Sequence, residues 1–182
     1  FTATALEGLL EAQPLQARFG LTAPEVTELN QLLQRCGFRW GLDGHERGGD
    51  PTHSLAWVID RLLLALVLPE TPGLAPGGVA PAASGADLER TGRSLHLLTR
   101  LRHWLGQLRQ PGTSAVWAAR LREMLLDLFG DGGEAAWELP VLQAAINAWQ
   151  EAAGQANPLV LEAPVVAALL DEQLAIDSGR FG

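Results

Sequence analysis

Apolar residues recur at helical spacing through almost all of this chain, and no other feature restricts its fold as strongly. In one stretch Trp117, Leu121, Met124 and Leu128 follow one another at intervals of four, three and four residues. The alternation of apolar and polar residues that is typical of a half-buried strand is nearly absent. The pattern therefore predicts an all-α fold, built as an irregular multi-helix domain.

The clearest helix start lies at Thr22. Glu25 follows three residues later, so hydroxyl and carboxylate can form a capping box, and Pro24 is tolerated in the first helical turn. Gly37 is predicted to end this helix, because glycine readily takes the positive φ found just after a helix. Only the segment 38–42, where aromatic and apolar residues alternate with Arg39 and Gly41, allows two or three residues of strand.

The other helical patterns complete a single predicted domain over residues 1–182. They cover residues 3–17, 54–67, 87–109, 113–130, a stretch around 142–149 and 162–175. Residues 69–86 hold four prolines and four glycines among alanines, which predicts a flexible loop or linker. The apolar sides of these predicted helices should face inward and form the core. The predicted core residues are Leu62, Leu63, Leu66, Leu98, Leu101, Leu105, Leu121, Leu125, Leu128, Ile146, Trp149, Leu169 and Leu170.

Three stretches resemble a known family. Residues 18–47 read RFGLTAPEVTELNQLLQRCGFRWGLDGHER, residues 54–68 read SLAWVIDRLLLALVL, and the chain closes on LDEQLAIDSGRFG. They are similar to the R-F-G-L, D/E-x-x-x-L and I-R-W-G-L-D motifs, the W-x-x-x-L-x-R-L-L-L-G helix and a later helix of the RecC family, the gamma subunit of exodeoxyribonuclease V. The sequence departs from the family at residues 69–73, where PETPG replaces an aromatic residue.

The resemblance implies an internal fragment of a longer subunit, from its helicase-like region and comparable to the 2B-type insertion of a superfamily 1 helicase. That subunit lacks ATPase motifs. It works with the beta and alpha chains of a heterotrimeric helicase-nuclease that processes double-stranded DNA ends for recombination, and it splits the duplex and recognises Chi. The resemblance thus implies sister subunits as partners and DNA contact through the parent complex.

The net charge, the cysteine count and the length of the apolar runs limit which partners and which cellular compartment are expected. The net charge of -8 opposes strong binding of nucleic acid by the intact surface, because such affinity comes from neutralising phosphates with cations. The single cysteine, Cys36, can form neither an internal disulfide nor a CxxC zinc site. The longest apolar run, residues 62–68, is far shorter than the roughly 20 residues of a membrane span. A cytoplasmic protein without a membrane segment is expected.

No catalytic signature is recognisable. Walker A, GxGxxG, GxSxG and HExxH patterns are all missing, so no catalytic residue and no cofactor is predicted. The densest set of potential metal ligands lies in one glycine-rich loop, and convergence of three or four of them would be needed for a metal site. We interpret this loop as a solvated turn that binds no metal; its polar residues are Asp43, His45, Glu46, Asp50 and His53.

The helix at 87–109 carries the only candidate contact surface. At 100° per residue, its leucines fall on one side, and the other side carries a basic stripe of Arg93, His96, Arg100 and His103. The stripe suggests contact with a nucleic-acid backbone or an acidic partner, and an ordinary solvated helix face is the alternative.

Two further predictions concern the interior. Arg102 falls inside the apolar arc of the same helix and would need a buried carboxylate partner, for which Asp60 is the first choice and Glu123 the second. The tryptophans are predicted to pack in the core and not to serve as base-stacking platforms. They are Trp40, Trp57, Trp104, Trp117, Trp137 and Trp149.

Two other classes of protein stay open beside the family interpretation. One is a stand-alone helical domain that binds another protein. The other is an all-α enzyme whose site follows no known motif, which would show as a deep pocket with strongly perturbed ionisable groups.

Overall fold

The computed structural model describes residues 1–68, 79–82, 88–154 and 159–178. Within them the chain forms eight α-helices and no strand, so the all-α prediction is confirmed. The helices are α1 (Ala3–Leu10), α2 (Gln13–Phe19), α3 (Ala23–Arg35), α4 (Leu55–Val67), α5 (Leu88–Leu108), α6 (Ser114–Phe129), α7 (Glu138–Gly154) and α8 (Ala163–Ser178). Two short 3-10 helices lie at Gly44–Arg47 and Gly133–Ala135.

Side-chain caps determine where several helices begin. The capping box predicted for α3 is present: Thr22 and Glu25 each accept a hydrogen bond from the other's backbone N–H. Ser54 caps α4 and Thr113 caps α6 in the same way, by accepting from the N–H three residues later. Gly37 follows the end of α3 with a φ of 85°, as the sequence predicts. The side chains of Thr22, Ser54 and Thr113 thus satisfy N–H groups that the first helical turn leaves unpaired.

The segment 38–42 forms no strand. Trp40 makes one isolated antiparallel bridge, to Thr2. Most of the predicted flexible loop, residues 69–78 and 83–86, lies outside the described residues. The short described part is held to α4, since the Ala82 N–H donates to the Arg61 carbonyl at 3.0 Å.

The chain divides into two compact units, Phe1–His103 and Trp104–Gly182. The first unit buries a large leucine-rich core. Its fully or almost fully buried members include Leu6, Leu10, Leu15, Leu42, Leu55, Val58, Leu97, Leu98 and Leu101.

The second unit is built on α6, α7 and α8, with α7 packed against both of the others. Its core cluster contains Trp117, Ala118, Leu125, Ile146, Trp149 and Val166. Arg122 of α6 also ties α6 to α7, because its guanidinium donates to Asn147 and Gln150 of α7.

Most of the predicted core residues are buried or partly buried, but two predictions are wrong. Leu63 and Leu169 are exposed, whereas Leu62 and Leu170 beside them face inward. A helix that carries leucine at consecutive positions presents only part of that run to the core, and the sequence pattern alone does not say which part.

Candidate functional site

The basic stripe on α5 begins with an arginine that is already paired. Arg93 Nη2 lies 2.7 Å from Glu25 Oε1 on α3, and Arg93 Nη1 lies 2.8 Å from Glu89 Oε1 one turn earlier on α5. Both distances correspond to charge-assisted hydrogen bonds. Arg93 therefore joins two helices of the first unit and has little positive charge left for an external anion.

Arg90 extends this arrangement. Its Nη1 pairs with Glu28, and its Nε lies 3.8 Å from Glu25 Oε1. We call Arg90, Arg93, Glu25, Glu28 and Glu89 the α3–α5 ion-pair cluster. Two cations meet three carboxylates in it, so this end of the stripe carries no excess positive charge. Sequence projection missed the cluster because both acidic partners on α3 are more than 60 residues away along the chain.

Glu25 is the centre of the α3–α5 ion-pair cluster. Hydrogen bonds from the Thr22 backbone N–H and hydroxyl, and then the Arg93 guanidinium, lower the pKa of Glu25 from its ordinary value of 4.5 to about 2. All of these contacts favour the ionised carboxylate. One side chain therefore caps α3 and anchors α5.

This lowered pKa predicts a pH dependence of stability. Because the folded state holds the pKa below its unfolded value, the contribution of Glu25 is fully present above about pH 4.5 and is lost as the pH falls through about 2. The free energy of unfolding of a Glu25→Gln variant should therefore differ most from that of the wild type above pH 4.5. The difference should shrink across this window, as measured by urea unfolding at a series of pH values.

Glu11→Gln is the matched control, since Glu11 is an exposed carboxylate at the end of α1. It should leave the pH profile of stability close to that of the wild type. A gap between Glu25→Gln and the wild type that stays constant from pH 6 to pH 2 would contradict the role assigned to Glu25.

The rest of the stripe has a different environment. His96 is exposed, and its ring meets the edge of Phe19 at a centroid distance of 5.3 Å. His103 is exposed and Arg100 is partly buried, and both have interaction partners within the protein. No acidic residue occurs between residues 94 and 109. The basic residues of α5 beyond Arg93 thus have no acidic neighbour within this stretch of their own helix.

The ion pair predicted between Arg102 and Asp60 is not formed among the described residues. Asp60 is exposed on α4 and Arg102 is partly buried, and no salt bridge joins them. The pair is absent because the Asp60 carboxylate stays in water, where it needs no guanidinium partner.

The arginine that reaches inward is Arg61. Its Nη1 donates to the Cys36 carbonyl at 2.8 Å, its Nε donates to the Ala80 carbonyl at 2.9 Å, and the guanidinium stacks 4.7 Å from the Trp57 ring centroid. The Cys36 carbonyl lies at the end of α3, where the helix dipole favours a cation. Backbone carbonyls thus satisfy this guanidinium. Sequence reasoning missed Arg61, and only the four-residue spacing of Trp57 and Arg61 could have indicated the stacking contact.

The RWGLD corner, residues 39–43, connects the beginning of the chain to α4. The Gly41 N–H donates to the Phe1 carbonyl at 2.8 Å, and the Gly41 carbonyl accepts from the Leu55 N–H at 3.0 Å. On either side, the Arg39 carbonyl accepts from Ala3 and the Leu42 carbonyl from Ala56, both at 3.0 Å. Consecutive backbone groups of the corner thus satisfy free N–H groups at the starts of α1 and α4.

The loop that follows is held by its own polar side chains. Asp43 accepts from the His45 N–H, Glu46 from the Leu42 N–H at 2.6 Å and Asp50 from the Thr52 N–H. His53 Nδ1 donates to the Gly37 carbonyl at 2.7 Å. Within the described residues, no three such side chains are grouped as metal ligands. Sequence reasoning underestimated the order of this loop.

Gly41 provides a test of the corner. Its φ is 84°, and an added Cβ would lie 3.1 Å from Glu46 Oε2. Because an L-residue in this conformation costs about 1–2 kcal/mol, Gly41→Ala should lower the free energy of unfolding by at least that amount. Gly8→Ala, at an open position in α1, should instead raise it by about 0.5–1 kcal/mol. Urea unfolding of both variants compares them directly, and equal effects would contradict the strain at Gly41.

The prediction that the tryptophans pack in the core is wrong for two of the six. Trp104, Trp117 and Trp149 are buried, but Trp40 and Trp137 are exposed. Neither exposed residue lies within an α-helix: Trp40 belongs to the RWGLD corner and Trp137 precedes α7. The Arg47 guanidinium covers Trp40 at 4.5 Å from the ring centroid.

These features define the class of protein as an α-helical structural domain. Arginine side chains join its helices, and the RWGLD corner connects the start of the chain to α4. A family model described as "RecBCD enzyme subunit RecC fourth domain" matches residues 1–178. The chain therefore belongs to this family, as the motifs predict.

Curated relatives agree with the family model. The RecBCD enzyme subunit RecC of Mycobacterium tuberculosis strain H37Rv is 28% identical over 183 residues, which cover 96% of this chain and 16% of that protein. The RecBCD enzyme subunit RecC of Escherichia coli K12 is 26% identical over 188 residues, which cover 95% of this chain and 16% of that protein. The chain thus spans 16% of the length of these relatives.

None of the helices in the described part of the chain combines the length and the apolar character that crossing a membrane requires.

Proposed function

We propose that this chain is a non-catalytic domain of a RecC-type subunit, acting in a DNA-end-processing helicase-nuclease that repairs double-strand breaks by homologous recombination. The observation that carries the proposal is the family match across residues 1–178. The geometry supports it, because the RWGLD corner makes backbone contacts that hold helices together. The polar residues around the corner form structural hydrogen bonds.

The proposal includes the partners and the location. The beta and alpha chains of the heterotrimer are the sister subunits, and the parent complex separates the strands, recognises Chi and scaffolds the enzyme in the cytoplasm. Support comes from the two relatives, each described as a subunit of the RecBCD enzyme. Within this complex the domain contributes shape and support.

Contact with DNA is proposed to occur through the parent complex. The net charge of -8 repels phosphates over a Debye length of about 8 Å at physiological salt. Within the stripe, Arg93 is already paired in the α3–α5 ion-pair cluster, and Arg100 and His103 also have interaction partners within the protein. This surface is proposed to contact DNA or an acidic partner only when neighbouring domains supply further cations.

Co-purification tests the proposal. The full-length polypeptide that carries this chain is co-expressed with its two candidate sister subunits, and the complex is sized by chromatography with light scattering. We expect a 1:1:1 heterotrimer. A polypeptide that ends at the boundaries of this chain and binds neither subunit would favour the alternative, a stand-alone helical protein-interaction domain.

A further inference from the structure

Four large apolar side chains are exposed on α8 and on the segment just before it. Leu159, Val160, Val165 and Leu169 have exposed fractions of 64%, 67%, 47% and 37%. We call these four residues the α8 apolar face. They are close along the chain, and Val165 and Leu169 lie one turn apart on the same side of the helix.

The composition of this stretch is unusual for a helix at a surface. Between residues 159 and 170 only Glu162 is charged. Val166 is buried in the core cluster of the second unit and Leu170 packs against that cluster, so the inner side of α8 is already covered. The first half of α8, residues 163–170, is apolar all round, and a helical segment of this kind is normally buried on all sides. The outer side is therefore expected to have a partner.

The α8 apolar face is held in place. Leu161, between Val160 and the helix, exchanges two backbone hydrogen bonds with Gly112, at 2.8 and 3.0 Å. Its carbonyl also accepts a hydrogen bond from Trp117 Nε1 at 2.9 Å. The exposed side chains thus extend from an anchored backbone, and binding there would cost little ordering entropy.

We infer that the α8 apolar face is covered by another domain of the same polypeptide. The inference rests on the proposed function, and its support is the length of the relatives, since 84% of each lies outside the matched region (100 − 16). An apolar surface poor in charge is typical of a permanent interface, not of a transient one. A tethered domain is always present at high effective concentration, which suits this surface.

Hydrogen exchange tests the inference without any substitution. The amides of α8 are measured in the 182-residue chain and in the full-length subunit purified without its sister subunits. If another domain of the same polypeptide covers the helix, exchange should be at least about tenfold slower in the full-length subunit. Equal exchange in the two proteins would overturn the inference.

A double variant, Val165→Glu with Leu169→Glu, provides the second arm, and Gln143→Glu at an exposed position of α7 is the control. Because the altered residues are exposed in this unit, circular dichroism of the 182-residue chain should stay unchanged. In the full-length subunit the double variant should abolish the tenfold protection, whereas Gln143→Glu should keep it. Protection that survives two buried carboxylates would overturn the inference.

Other occupants give different results. If a second copy covers the face, the 182-residue chain should dimerise and the double variant should abolish the dimer; if a sister subunit covers it, protection should appear only in the heterotrimer. Either outcome overturns the inference. Co-purification of the wild-type heterotrimer is scored separately, so a complex that assembles with an unprotected α8 would refute this inference and leave the proposed function standing.

Discussion

Replacing Leu98 by alanine should lower the free energy of unfolding by about 2–5 kcal/mol, because the lost burial is compounded by the cavity left behind. Leu98 is completely inaccessible in α5, with Leu97 and Leu101 buried beside it. Urea unfolding followed by circular dichroism measures the change.

Leu63→Ala is the matched control, because the chemical change is the same and the side chain is 48% exposed. Its effect should stay within about 0.5 kcal/mol of zero, as is usual for surface substitutions. Similar losses for Leu63→Ala and Leu98→Ala would show that the phase of α4 or α5 is wrong.

Trp117→Ala should lower the free energy of unfolding by about 3–5 kcal/mol, through loss of a large buried aromatic side chain. The Trp117 ring lies in the core cluster of the second unit, with 1% of the residue exposed. Its Nε1 donates to the Leu161 carbonyl, and the Arg120 guanidinium stacks 4.5 Å from its ring centroid. The same substitution therefore also loosens the segment that precedes α8.

Trp137→Ala removes an equally large side chain that is 70% exposed, and it should change stability by less than about 0.5 kcal/mol. Trp117→Phe keeps most of the apolar area and deletes the N–H donor. It should cost about 0.5–1.5 kcal/mol, the usual contribution of one hydrogen bond. If Trp137→Ala proved as damaging as Trp117→Ala, the packing of the second unit would be contradicted.

Local sequence signals predicted the parts of the fold that depend on few residues. The capping box of Thr22 and Glu25 and the stop at Gly37 each involve groups within four positions of one another. The helical period of apolar residues likewise follows from side chains one turn apart. Motif resemblance added the family, which the match over residues 1–178 confirms.

Contacts between residues that are far apart in the sequence could not be predicted from such local signals. Arg93 looked like a free cation on a solvated face, but its partner Glu25 lies 68 residues away in the chain. Arg61 reaches two backbone carbonyls, which no side-chain pattern marks. For Trp137 the error has another origin. This residue was assigned to the core because it is aromatic, but it lies before the start of α7 and is exposed.

The role proposed for this chain is that of a supporting domain in a RecC-type subunit. The most direct measurement compares ATP-dependent degradation of linear duplex DNA by three preparations: the heterotrimer containing the full-length subunit, the two sister subunits alone, and the 182-residue chain alone. We expect rapid degradation by the heterotrimer, much slower degradation without the subunit and none by the isolated chain. Degradation by the isolated chain, or equal degradation with and without the subunit, would contradict it.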